Sequence, residues 1–487
     1  MSKENKDSLN KMTLKPTLGR IKAIKPKINL GGKLDHFNGN WHYDKHGASV
    51  LNGGLSYFFG VAGEQNRFKT AMMRGITALA FSRVYWLDTI DEKYTSYYLA
   101  MDTETNSEDR RYVTMFIQPW YNFNGDNPVD NERWMLTDVQ QASFDTWFSD
   151  WRSKCKAKRD VMGKQLMVTT PFLDRDGKAL QVLLPTFGDI DSISQARTEQ
   201  QDEMHNEHEI SSSKLNMYHA RGSMGKTHAV DDIPPLAVSS GTYLACTVQT
   251  KKAMSFDGTP QKKTFQDMPQ DVQLSGVPRN FLYLVHDCLL ILKSERLLPS
   301  DKCGPKWPRD GELRDKDNPD LNIITAVNLR GKSGLSGVPM KFVVSQTQGY
   351  LPRLTMFNDI WDEGMYGLVG TNANYALVLM PDIKLTRTTV RTLIDTNDTL
   401  ARALEITADL CYMDFINSIN GEFKDIMCTP EELYADITKL GYSWDDIFQT
   451  RSWWTPFDEQ HPVKRLTTKD LLNMRAGTYQ PKWLTRK

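Results

Sequence analysis

The stretch Tyr57-Phe58-Phe59-Gly60-Val61-Ala62-Gly63-Glu64-Gln65-Asn66-Arg67-Phe68-Lys69-Thr70 decides the fold. It reads as an apolar strand, a tight turn, and a helix start that carries Lys-Thr. That order is the shape of a phosphate-binding loop, in which backbone N–H groups and the positive end of a helix cradle anionic oxygens. Gly63 opens the turn, and Glu64, Gln65, Asn66 and Arg67 supply the N–H donors. Lys69 is placed to reach the β- and γ-phosphates, and the Thr70 hydroxyl to hold Mg²⁺. A helix over 71–81 follows, with Met72, Ile76, Leu79 and Ala80 at helical spacing.

The chain around this loop has 487 residues, enough for one large core domain with appendages or for two to three domains. It is 40% hydrophobic and 25% charged, the balance of a water-soluble globular protein. It contains no apolar run of membrane-spanning length and no signal peptide, so the sequence predicts a cytoplasmic protein without a membrane partner. The six cysteines form no Cys-x-x-Cys pair and read as reduced thiols, not as a zinc site. Lys+Arg and Asp+Glu both number 60, so net charge is zero. A nucleic-acid partner would then have to be held by local positive charge.

Upstream, residues 1–40 are rich in lysine and read as a flexible basic arm, suited to phosphate contact, to docking on a neighbouring subunit, or to no more than solvation. Downstream, residues 97–104 form an apolar run that ends in Asp102-Thr103-Glu104. That is a buried parallel strand with carboxylates at its C-terminal tip, where open α/β sheets bind ligands. Trp147, Phe148 and Trp151 share an apolar helix face and read as core, not as a base-stacking platform. The Asp-Gly turn at 176–177 joins two apolar runs in a β-hairpin. A strand interrupted by Gly188 and Asp189 then leads to Asp191-Ser192.

Residues 195–232 are polar and read as a loop. Within them, Ala220–Thr227 imitates a second phosphate loop, but no buried strand precedes it and Pro234-Pro235 should stop any helix after it. It reads instead as a flexible basic loop whose Arg221 and Lys226 touch DNA phosphates. Residues 242–250 form a core strand with Gln249 near its tip. Residues 250–276 interleave Lys251, Lys252, Lys262 and Lys263 with Phe256 and Phe265, a composition that suits single-stranded nucleic acid and a plain surface loop equally. Two further strands flank Arg330-Gly331-Lys332, and from about 371 the chain turns helical.

The ordered series over about 45–370 resembles the RecA family of P-loop ATPases. The variant Gly63-x-x-x-x-Phe68-Lys69-Thr70, with Phe68 where glycine is usual, resembles its UvsX-like phage branch. The resemblance implies an α/β fold: a RecA-like P-loop ATPase core (41–370) with a mostly parallel central sheet flanked by helices, between the basic arm (1–40) and a helical C-terminal region (371–487). It implies Glu104 as catalytic base, Asp191 (or Asp189) as the acid that holds Mg²⁺ through water, and Gln249 as sensor of the γ-phosphate. Residues 195–232 and 250–276 take the places of the two DNA-binding loops. Arg330 and Lys332 would contact the nucleotide of a neighbouring subunit. The implied activity is that of a DNA-dependent ATPase. With ATP and Mg²⁺ it forms helical filaments on single-stranded DNA, pairs it with double-stranded DNA and exchanges strands in recombination, repair and replication. Partners would be phage single-strand-binding or mediator proteins in the infected host's cytoplasm. Two alternatives stay open: a ring helicase or DNA motor of the same fold, and a degenerate relative that binds nucleotide without turning it over.

Overall fold

The structure is a computed structural model. It describes residues 24–105, 109–138, 140, 142–199, 201, 216–251, 273–278, 280–299, 304–309, 318, 320–331 and 334–486, with backbone only at 109–110, 216–224, 251 and 273. Residues 1–23 of the basic arm, Lys252, Lys262, Lys263 and Lys332 lie outside the described residues.

The chain begins with a short helix α1 (Lys33–Phe37) and a hairpin of β1 (Asn40–Tyr43) and β2 (Ser49–Asn52). Strand β3 (Phe58–Gly63) runs through the turn at 64–68 into α2 (Lys69–Ser82). Then come β4 (Tyr98–Asp102), α3 (Asp109–Phe116), β5 (Trp134–Asp138) and α4 (Phe144–Asp160). A separate hairpin of β6 (Met167–Leu173) and β7 (Ala179–Leu183) leads to β8 (Thr186–Asp191), α5 (Asn216–Ser240) and β9 (Thr242–Lys251). The chain continues with β10 (Gln273–Ser275), α6 (Phe281–Leu284), β11 (Asp287–Arg296), β12 (Asn322–Gly331), β13 (Pro339–Ser345), β14 (Gly349–Tyr350) and α7 (Pro352–Asp362). After a three-stranded sheet of β15 (Leu368–Gly370), β16 (Tyr375–Leu377) and β17 (Met380–Leu385), the rest is helical. Its helices are α8 (Val390–Thr396), α9 (Asp398–Asn420), α10 (Pro430–Lys439), α11 (Trp444–Phe448) and α12 (Thr468–Arg475).

The central sheet is mixed, with strand order β14-β13-β12-β11-β3-β9-β8-β4-β5 and β10 added beside β9. Pairings from β11 through β3, β9, β8 and β4 to β5 are parallel, and those of β12, β13, β14 and β10 are antiparallel. Strand β3 therefore lies in the interior, between β11 and β9. All its residues are buried, because its continuous apolar run faces helices on both sides. Phe59 and Val61 pack with Met72, Met73 and Ile76 of α2. Phe58 and Ala62 alternate to the other face and pack with Trp147 and Trp151 of α4 and Ile233 of α5. Trp147, Phe148 and Trp151 are thus core residues, as their spacing predicts.

Three expectations are corrected. First, the arm is packed from residue 24 on. Ile28 pairs with Leu55 and is buried with Leu30, Leu34 and Phe37, while Lys27 is neutralised by Asp287 at 2.9 Å and Lys33 by Asp359 at 2.6 Å. These lysines end in ion pairs, not in a solvated tail. Second, residues 216–240 are one helix that runs on through Pro234 and Pro235. The prolines sit on its outer side, while Ile233, Leu236 and Ala237 are buried. That packing outweighs the roughly 3 kcal/mol each interior proline costs. Arg221 and Lys226 therefore lie on a helix, not in a loop. Third, the C-terminal region is not helical from 371: β16 and β17 occupy 375–377 and 380–385, and the helices begin with α8 and α9, which meet at Asn397, whose side chain caps α9 by accepting from the Leu400 N–H.

Candidate nucleotide-binding cleft

β3 ends at Gly63, and residues 64–68 turn the chain into α2. The turn needs left-handed backbone at Asn66 and Phe68, both with φ near 59°. Phe68 is the residue before the first turn of α2, so the position where the common motif carries glycine is one where glycine is unstrained. The Lys69 ammonium folds back to donate to the Glu64 carbonyl at 2.7 Å, and Arg67 pairs with the Glu64 carboxylate at 3.1 Å. Burial lowers the Lys69 pKa, and the carboxylates of Glu104 and Asp191 oppose that shift.

The sheet register supplies the facing wall. Gly63 lies opposite Gln249, and Asp102 opposite Asp191, so the tips of β3, β9, β8 and β4 stand side by side at one edge. Thr103 clamps two of these tips: its N–H donates to the Asp191 carbonyl, its hydroxyl to the Ser192 carbonyl, and that hydroxyl accepts from the Ser192 N–H. Glu104 follows at the surface, its N–H on the Asp102 carboxylate at 2.9 Å and its own carboxylate accepting from the Ser192 hydroxyl at 3.3 Å. Asp191 accepts from the Thr247 hydroxyl at 2.7 Å and lies 3.5 Å from the Arg74 guanidinium.

The two acids β8 offers are not equivalent. Asp191 lines the cleft, whereas Asp189 is wholly buried beneath it, bonded to the Tyr98 hydroxyl and 3.6 Å from Arg74. Burial raises the Asp189 pKa to about 6. Burial alone would lower the pKa of Arg74; Asp189 and then Asp191 reverse that and raise it.

Together the tips enclose a cleft of about 830 Å³, lined by the phosphate loop from Gln65 to Thr70 and by Glu104, Asp191, Thr247 and Gln249. Two cations the sequence reading passed over line it too: Arg111 at the start of α3 and Arg197 beyond the tip of β8. The only hint of Arg197 in the sequence is its position six residues past Asp191 in a polar stretch. Arg111 sits beside Arg110 with nothing to set it apart.

The remaining predicted residues lie elsewhere. Lys226 is buried, and its ammonium donates to the carbonyls of Ser194 at 3.2 Å and Gly276 at 3.0 Å, with burial lowering its pKa to about 8. It ties the segment after β8 to the return of the chain on β10. Between them, the Ser194 hydroxyl donates to the Ser275 carbonyl and accepts from the Gln249 N–H. Lys251 ends β9 opposite Gln273. Arg330 lies near the end of β12 opposite Cys288, beside the start of β11, at the edge of the sheet away from the cleft. It cannot reach the cleft of its own chain.

Among the described residues no cluster of three His, Cys, Asp or Glu forms a metal cage, and no helix is long and apolar enough to cross a membrane. Mg²⁺ bound to a nucleotide needs only one or two protein oxygens, and Thr70 and Asp191, which both line the cleft, could supply them. No family model and no curated protein matches the chain.

Proposed function

We propose that the chain is a DNA-dependent ATPase of the RecA-like recombinase type, which assembles on single-stranded DNA and promotes pairing and strand exchange. What carries this reading is the convergence, in one cleft, of a phosphate loop with the tips of β4, β8 and β9 bearing Glu104, Asp191 and Gln249. The donors of residues 64–68 and the N-terminus of α2 suit a polyphosphate, and the Lys69 ammonium sits on that turn, 2.7 Å from the Glu64 carbonyl. Thr70 and Asp191 would hold Mg²⁺, which when bound neutralises phosphate charge.

Glu104 is the base: it takes a proton from a water that attacks the γ-phosphorus as the bond to the bridging oxygen breaks, leaving ADP and phosphate. The Ser192 hydroxyl holds its carboxylate in place. Gln249 shares the Ser194–Ser275 bridge, so nucleotide state at the cleft bears on the roots of the segment that joins β9 to β10, where the sequence predicts contact with DNA. Arg330 serves the cleft of a neighbouring copy.

The test is ATP hydrolysis with and without single-stranded DNA, for the wild type and Lys69→Ala. Turnover stimulated by DNA and abolished by Lys69→Ala is the expected result. Turnover that survives Lys69→Ala removes this cleft as the site, and absence of both turnover and DNA binding overturns the reading.

A further inference from the structure

Arg197 and Arg111 stand in the cleft without partners: neither makes a hydrogen bond or ion pair with any described residue. Surface arginines of this kind usually wander, but the segment bearing Arg197 is fixed at both sides. Ile193, Ala196 and Thr198 are buried, and Gln195, Arg197 and Glu199 alternate outward. Gly225 of α5 lies so close to Thr198 that a Cβ there would come within 2.8 Å of its methyl carbon. Glu199, two residues on, has its carboxylate engaged by the hydroxyls of Ser143 at 2.7 Å and Thr146 at 2.9 Å, at the start of α4, and not by Arg197. The backbone therefore presents the Arg197 guanidinium to the cleft and leaves it uncompensated.

Across from it, Arg111 follows Glu104 and Thr105 on the β4 side. The two cations are thus carried by the segments that follow the acidic tips of β4 and β8. The loop with Lys69 and these tips line one cleft, so a polyphosphate held at the loop would share it with both arginines. Both guanidinium groups offer planar pairs of donors suited to phosphate oxygens.

We propose that Arg197 and Arg111 bind the terminal phosphate of a nucleoside triphosphate within the same chain, so that the cleft distinguishes triphosphate from diphosphate without a neighbouring copy. This rests on the nucleotide reading of the cleft. It also gives the discrimination a route outward. Arg197 lies three residues from Ser194, whose carbonyl is held by Lys226 and whose hydroxyl bridges Gln249 and Ser275.

The test is calorimetric titration of the full-length chain with ADP and with a non-hydrolysable ATP analogue, each with Mg²⁺, for the wild type, Arg197→Ala, Arg111→Ala and Lys69→Ala. Thermal melting of each variant checks that it folds. The expected result is a roughly tenfold loss of analogue affinity for each arginine variant, the size of one charge-assisted hydrogen bond, with ADP affinity changed by less than about twofold. Equal losses for both nucleotides, or no loss for either, overturn the proposal while Lys69→Ala still weakens both. If the wild type binds neither nucleotide, or Lys69→Ala binds as the wild type does, the nucleotide reading fails and this proposal with it.

Discussion

Phe68 shows how one residue can depart from a motif and keep its geometry. Its left-handed backbone costs about 1 kcal/mol relative to glycine, and its half-buried ring packs against the core beside α2. Phe68→Ala and Phe68→Gly both lose the ring, but only glycine relieves the backbone. In urea unfolding, Phe68→Gly is expected to be more stable than Phe68→Ala by about 1 kcal/mol, and equal stabilities or the reverse order would show that the left-handed backbone at this position carries no such cost. Glu104 and Asp189 show the opposite lesson, that a carboxylate's place decides its use. Glu104→Gln should cut hydrolysis by a factor of about 10²–10⁴ and leave nucleotide affinity within about twofold in the same titration. Asp189, buried and held with Tyr98 and Arg74, belongs to the framework under the cleft. Asp189→Asn should therefore lower the thermal midpoint, because Arg74 loses a buried partner.

Among the elements, the strands were the legible part. The apolar runs at 58–63, 98–102 and 242–250 announce themselves; the first ends in Gly63 at the turn, and the other two end in polar residues that line the cleft or border it. β8 was harder to read, because Gly188 and Asp189 break its pattern. The structure supplies the reasons: a Cβ at 188 would lie 2.7 Å from the Leu99 carbonyl, and the Asp189 charge is met by Arg74 from α2, far off in sequence. α5 was misread because local proline rules were outweighed by the buried face of Ile233 and Leu236, a tertiary effect. Arg111 and Arg197 were not legible at all, since an unpartnered surface arginine has no signature until the chain around it is placed.

α4 carries a pH-dependent contact of its own. Lys158, in its last turn, donates to the carbonyls of Leu184 and Gly241 and to the Thr186 hydroxyl, and burial lowers its pKa to about 7. The unfolded chain keeps that proton up to about 10.5, so between pH 7 and 10.5 it binds more protons than the folded chain and stability rises with pH. Lys158→Met should remove up to about 1.4 kcal/mol per pH unit of that slope, read by urea unfolding at pH 7, 8 and 9.

At the scale of the whole molecule, the first described residues and the last share one core. A single apolar cluster runs from Ile28 to Leu484 and joins α2, α7 and α9. The C-terminal helices are therefore not a free appendage. Leu404→Ala, in the buried centre of α9, should cost about 2–5 kcal/mol and lower the stability of the cleft-bearing sheet with it, in one unfolding transition. Two separate transitions would contradict this shared core. Asp287→Ala should be as severe, about 3–5 kcal/mol, because it strands Lys27 in the interior.

The parallel strands also give the molecule an arrow. The cleft stands at their C-terminal ends and Arg330 near their beginnings, roughly 10 Å back along β3 at about 3.3 Å per residue. If one copy lends Arg330 to another's cleft, the first still has its own cleft open and the second still has its own arginine to offer. Such a contact is not satisfied by two copies facing one another; it repeats, always in the same sense, until it closes on itself or runs out of copies. Any row built this way has two unlike ends, one showing a vacant cleft and the other a spare arginine, and copies joining at the two ends would meet different surfaces.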